Sequence, residues 1–112
     1  PFLPKGSDSN IDDCVSAMDY LINIVGEDQV GIGTDWVQDH DISFFKYLQK
    51  DKGVGRYVTS PYKAVPPMPN GISRLSEFQN FIPAMERAGW STKKIEKVLG
   101  INWYLFFKQI WK

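Results

Sequence analysis

The chain has 112 residues, enough for one small domain with a single core. Apolar residues make up 43% and aromatics 14%, which argues against intrinsic disorder. Thirteen basic residues balance thirteen acidic ones, so no net positive charge favours a nucleic-acid backbone, and self-association into a homo-oligomer is left open.

Single copies of two residue types narrow the chemistry further. Cys14 is the only cysteine, so no internal disulfide forms, and it reads as a small core residue on a helix face. His40 is the only histidine, so a His-based zinc site cannot be assembled from this chain alone. No apolar run reaches the length of a membrane span. The opening Pro1-Phe2-Leu3-Pro4-Lys5-Gly6 does not resemble a signal peptide and reads as the start of an excised or processed piece. It leaves the compartment unassigned.

Residues 1–9 read as a loop. Asn10 is a good N-cap, and Asp13 three residues later makes a capping-box pattern. Ile11, Cys14, Val15, Met18, Leu21, Ile22 and Val25 follow at helical spacing, and Gly26 fits a C′ stop. This predicts a helix over 11–25. A short β-branched run then predicts a buried strand over 29–34, ending at Asp35. Gly31 and Gly33 leave one face of that strand bare, so another group can approach the backbone there. Asp35 falls where parallel α/β folds place active-site loops. The plainer reading is that Asp35 caps the next turn.

Asp41 is placed to cap a helix near 43–51. Residues 53–72 are too rich in Gly and Pro for a regular element. Long loops of this kind are often lids or binding loops, and Arg56, Tyr57, Tyr62 and Lys63 are its ligand-contact candidates; the alternative is an ordinary surface loop. Helices are expected near 80–88, 92–99 and 102–111. Asn80, Ser91 and Asn102 are their caps, and Gly89 and Gly100 their stops. Trp103, Phe106, Phe107, Ile110 and Trp111 form an aromatic stripe that reads as packing rather than a cofactor box.

Two segments together resemble the C-terminal part of the membrane (renal) dipeptidase family of zinc metallopeptidases. Asp19 to Asp35 is similar to that family's last barrel helix, turn and eighth strand, with its Gly-x-Gly-[Ser/Thr]-Asp ending. Ala88-Gly89-Trp90-Ser91 through Val98-Leu99-Gly100 and Asn102 is similar to its closing helix pair. The resemblance implies an α/β fold: a mostly helical C-terminal fragment of a TIM (β/α)8 barrel. It divides the chain into a loop (1–9), helix and eighth strand (10–35), an inserted active-site loop region (36–72) and closing helices (73–112).

The same resemblance implies a dipeptidase using two zinc ions whose ligands lie outside this chain, so that the fragment alone is inactive. Asp35 would take a proton from a metal-activated water and return it to the leaving amine, and would also bind the substrate's amino group. Arg56 is a further substrate-binding candidate. The implied partners are a dipeptide substrate and the remainder of the parent barrel. The chain departs from the family pattern at Asp35-Trp36-Val37-Gln38, where Asp-[Phe/Tyr]-Asp-Gly is common, and at Gly100-Ile101-Asn102, where Gly-Gly-Asn is common. A contrasting reading is a non-enzymatic, mostly helical protein-interaction domain.

Overall fold

The computed structural model describes residues 3–35, 41–50 and 67–111. Helix α1 (Ile11–Val25) starts on the expected capping box. The Asn10 side chain accepts from the Asp13 N–H at 3.0 Å, and the Asp13 carboxylate accepts from the Asn10 N–H at 2.9 Å. Two of the N–H groups that a helix start leaves orphaned are thus satisfied. Gly26, at φ +88°, ends the helix. Helix α2 (Ile42–Lys50) starts on Asp41, whose carboxylate accepts from the Ser43 and Phe44 N–H groups.

Helix α3 (Phe81–Arg87) follows a 3₁₀ segment, Leu75–Asn80. The expected Asn80 cap is not formed. Residue 80 already has helical backbone angles, and its amide donates instead to the Gly71 carbonyl at 2.9 Å. The end of α3 is a Schellman motif. Trp90 N–H bonds to Met85 O at 3.0 Å and Gly89 N–H to Glu86 O at 2.9 Å, with Gly89 at φ +79°. Met85 and Trp90 are both buried, which supplies the apolar contact this motif usually carries.

Ser91 caps helix α4 (Thr92–Glu96) through the Lys94 N–H. Beyond it the structure departs from expectation. Gly100 does not stop the helix and Asn102 does not cap a new one. A π turn (Lys97–Ile101) joins α4 directly to helix α5 (Asn102–Ile110). Gly100 avoids the positive φ by which a C′ glycine terminates a helix.

The strand expected over 29–34 is also absent. Gln29 belongs to a 3₁₀ turn, Glu27–Gln29, and residues 30–35 run on without ladder pairing. A strand needs a neighbour to receive its N–H and C=O groups. Among the described residues the only bridge is the isolated parallel pair Asn10–Asn70. The described structure is therefore mostly helical, and no sheet defines a barrel within it.

The core gathers Ile11 and Val15 of α1, Val30, Ile72, Phe81, Ala84 and Met85 of α3, and Trp90, Ile95 and Val98. Cys14, Met18 and Ile22 pack against it from α1. Burial pushes the Cys14 thiol pKa up, so it stays protonated and behaves as the small core residue expected. Asp19 ties α1 to α4: its carboxylate accepts from the Trp90 indole at 3.0 Å and from Lys94 Nζ at 2.7 Å. Lys94 also lies over the Trp90 ring, 3.9 Å from its centroid.

The aromatic stripe of α5 packs largely on itself. Trp103, Phe107 and Trp111 stack at i, i+4, i+8, with centroids 5.5 and 4.3 Å apart. Trp103, Phe106, Ile110 and Trp111 are exposed rather than buried in the core. On α1, Tyr20, Leu21, Ile24 and Val25 are exposed as well. No helix among the described residues is long and apolar enough to cross a membrane.

Candidate active site

Asp35 ends the stretch that leaves the 3₁₀ turn Glu27–Gln29. It is exposed, and its φ of +51° makes it the one non-glycine in the left-handed region among the described residues. That conformation is uncommon outside glycine, though Asp tolerates it better than most residues. Asp35 thus stands, exposed, at the end of a segment held from one side.

The hold comes from the π turn and the start of α5. Lys97 Nζ sits 2.7 Å from a Glu27 oxygen and 2.5 Å from an Asp28 oxygen, pinning the 3₁₀ turn. Hydrogen bonds to Asp28 and then Glu27 raise the Lys97 pKa above its ordinary value. The Asn102 amide nitrogen donates to Glu27 O at 2.7 Å and to Val30 O at 2.8 Å. The Trp103 indole N–H donates to Ile32 O at 3.0 Å. These side chains take carbonyls that a neighbouring strand would otherwise bind.

The π turn explains how one short helical stretch reaches all three points. In an α-helix, five residues advance about 1.4 turns, which would set Lys97 and Asn102 on different sides. Here Asn102 N–H bonds to Lys97 O, closing the turn over five residues and bringing both side chains to one face.

The close approach that alternate glycines suggested occurs at Gly31. A Cβ there would lie 2.5 Å from Trp103 Nε1 and 2.9 Å from Trp103 Cδ1. Gly33 faces open space. A shallow cleft of about 240 Å³ lies beside the clamp, lined by Asp28, Gln29, Lys97, Ile101, Asn102 and Leu105, among others. Asp35 is not part of its lining.

Of the expected site residues, Asp35 is placed, and the loop candidates Arg56, Tyr57, Tyr62 and Lys63 lie outside the described residues. Among the described residues, no three His, Cys, Asp or Glu side chains come together as a metal site. Asn102 and Trp103 were readable only as a cap and a packing residue. The available signal was the apolar spacing of Val98, Leu99, Trp103 and Phe106, which runs through Gly100 without a break.

No protein-family model and no curated protein matches the chain. A solved structure does: the crystal structure of an amidohydrolase from Pseudomonas aeruginosa, with 43% sequence identity and a TM-score of 0.85. The alignment covers 99% of this chain and 34% of the amidohydrolase, so the chain spans about a third of that protein's length. The chain is thus similar, over nearly all its residues, to part of an amidohydrolase. The likeness supports a hydrolase family and does not single out dipeptidases.

Proposed function

We propose that this chain is the C-terminal portion of a zinc-dependent dipeptidase, a hydrolase that cleaves the peptide bond of dipeptides with a metal-activated water. The likeness to an amidohydrolase at 43% identity carries the hydrolytic part of this reading. The dipeptide substrate and the barrel fold rest on the resemblance of residues 19–35 and 88–102 to the dipeptidase family.

In this reading Asp35 is the proton-transferring carboxylate. It accepts a proton from the attacking water and delivers it to the departing amine, work that suits an exposed carboxylate at the end of a fixed segment. In this reading the zinc ligands lie elsewhere in the parent protein, as the resemblance to the dipeptidase family implies. Arg56 remains the proposed contact for the substrate. The exposed faces of α1 and α5 would be covered by the remaining barrel, which also supplies neighbours for residues 30–34.

The test is hydrolysis by the full-length protein that carries this segment. Its purified, metal-loaded form is expected to cleave unblocked dipeptides such as L-alanyl-L-alanine. Absence of cleavage across a broad panel of unblocked dipeptides, with hydrolysis of another amide class instead, would contradict the dipeptidase reading.

A further inference from the structure

We infer that Asn102 is a positioning residue for Asp35, acting through the backbone of residues 27–32; the inference rests on the reading of Asp35 given above. A carboxylate that moves protons must be held near its reacting partners, and a displacement of about 1 Å can cost on the order of 10²-fold in rate. The segment leading to Asp35 makes no strand ladder. Side chains hold it at several points, and Asn102 supplies two of these contacts with one amide nitrogen, to Glu27 O and Val30 O. Trp103 supplies the next, to Ile32 O. Its ring fills the space beside Gly31, so the segment cannot shift toward α5.

The spacing makes this more than a local tie. Asn102 lies 72 residues beyond Val30, yet the π turn sets it on the same face as Lys97, which grips Glu27 and Asp28. The three contacts run in order along the segment, at residues 27–28, 30 and 32, and Asp35 follows three residues later. One helical stretch thus holds the segment that leads to the carboxylate at residues 27–32. The π geometry, often found at functional sites, has a definite task here.

A double-mutant cycle in the full-length protein tests this, with turnover of L-alanyl-L-alanine and of a panel of other unblocked dipeptides as readout. Assays run well below each variant's unfolding temperature. Asn102→Ala is expected to lower kcat by about 10- to 100-fold, with KM within about twofold of wild type. In an Asp35→Asn background the same change should cost less than about twofold, because the group it positions has already lost its function.

Trp103→Phe keeps a six-membered aromatic ring and loses the five-membered part that donates to Ile32 O and lies against Gly31, a smaller change that should fold even where Asn102→Ala does not. It is expected to show a smaller loss with the same dependence on Asp35. Equal losses in both backgrounds, alongside a large loss in Asp35→Asn alone, would overturn the positioning role and leave the functional reading intact. Normal turnover in Asp35→Asn, or a wild type that cleaves none of the panel, would overturn both.

Discussion

Trp103 occupies the space that a side chain at position 31 would need. A Cβ built on Gly31 falls 2.5 Å from the indole nitrogen, and that nitrogen donates to the next carbonyl along, Ile32 O. The ring cannot easily give way, since its face stacks on Phe107. Gly31→Ala is therefore expected to destabilise the protein by about 1–3 kcal/mol, the usual range for overpacking. Thermal unfolding of Gly31→Ala, Trp103→Ala and the pair checks this. The double variant should be less destabilised than the sum of the singles, because removing the ring removes the clash.

The Schellman turn gives a second expectation. Gly89 sits at φ +79° with open space around its Cβ position, so the penalty for a side chain there is conformational rather than steric contact. Gly89→Ala should cost about 1–2 kcal/mol. Gly100→Ala is the contrast. Gly100 is not at positive φ, and nothing lies within 4 Å of its Cβ position, so alanine should be neutral or stabilising by up to about 1 kcal/mol. Equal losses at the two positions in a thermal melt would contradict the assignment of a stop at Gly89 and a continuing helix through Gly100.

That pair also shows what the sequence could reveal. Helix α1 was legible because its signals are local: Asn10 and Asp13 are three residues apart, and the apolar stripe lies on one helix. Asp41 and Ser91 were legible as caps for the same reason. Gly89 and Gly100 look alike in sequence, both following apolar helical patterns, but only one takes the left-handed angle. Asn102 looked like a cap because its true partners, Glu27 O and Val30 O, are more than 70 residues away. The run from Val30 to Thr34 has the composition of a strand, yet a strand is a pairing, and among the described residues no strand ladder forms there. The stripe on α5 reads as packing in sequence and does pack, ring on ring, but helical spacing identifies an apolar face without saying that it lies outside the core. At the site, the close approach at Gly31 was foreseen and its occupant was not.

Acid sensitivity follows from the carboxylates. Burial alone would raise the Asp19 pKa, but the hydrogen bonds from Lys94 and Trp90 and the Lys94 charge together hold it below its ordinary value. A group depressed in the folded state contributes stability above its unfolded pKa, about 3.9 for Asp, and loses it as pH falls through the folded value. Asp13, lowered by the hydrogen bond from Lys5 and by the Asn10 N–H, acts in the same direction. The thermal midpoint should therefore drop as pH is taken below about 4. Asp19→Asn should lower the midpoint at pH 7 and flatten the acid limb. An unchanged acid limb in that variant would show that the Asp19 contacts do not contribute.

Lys97 works at the opposite end of the scale. Its raised pKa contributes stability that is fully present below the unfolded value of about 10.4 and is lost as pH rises through the folded one. Lys97→Met should lower the midpoint at neutral pH and blunt the alkaline loss. It also leaves Glu27 and Asp28 without their shared cation, so the effect should shrink as salt is added. A neutral-pH midpoint equal to wild type at low salt would contradict a pinned turn at residues 27–28.

The central claim is that Asp35 transfers protons, and turnover of Asp35→Asn in the full-length protein tests it most directly. The substitution keeps size and much of the hydrogen bonding, and Asn also tolerates the left-handed φ of this position. Asp41→Asn is the control, since Asn caps a helix about as well as Asp and Asp41 serves α2 in that role. The account predicts a fall in kcat on the order of 10²–10⁴ for Asp35→Asn, the range for general acid–base catalysis, with thermal midpoint and metal content close to wild type. The control should keep near-normal kcat. Near-normal kcat in Asp35→Asn together with a lowered thermal midpoint would contradict the account and leave Asp35 a turn-capping residue.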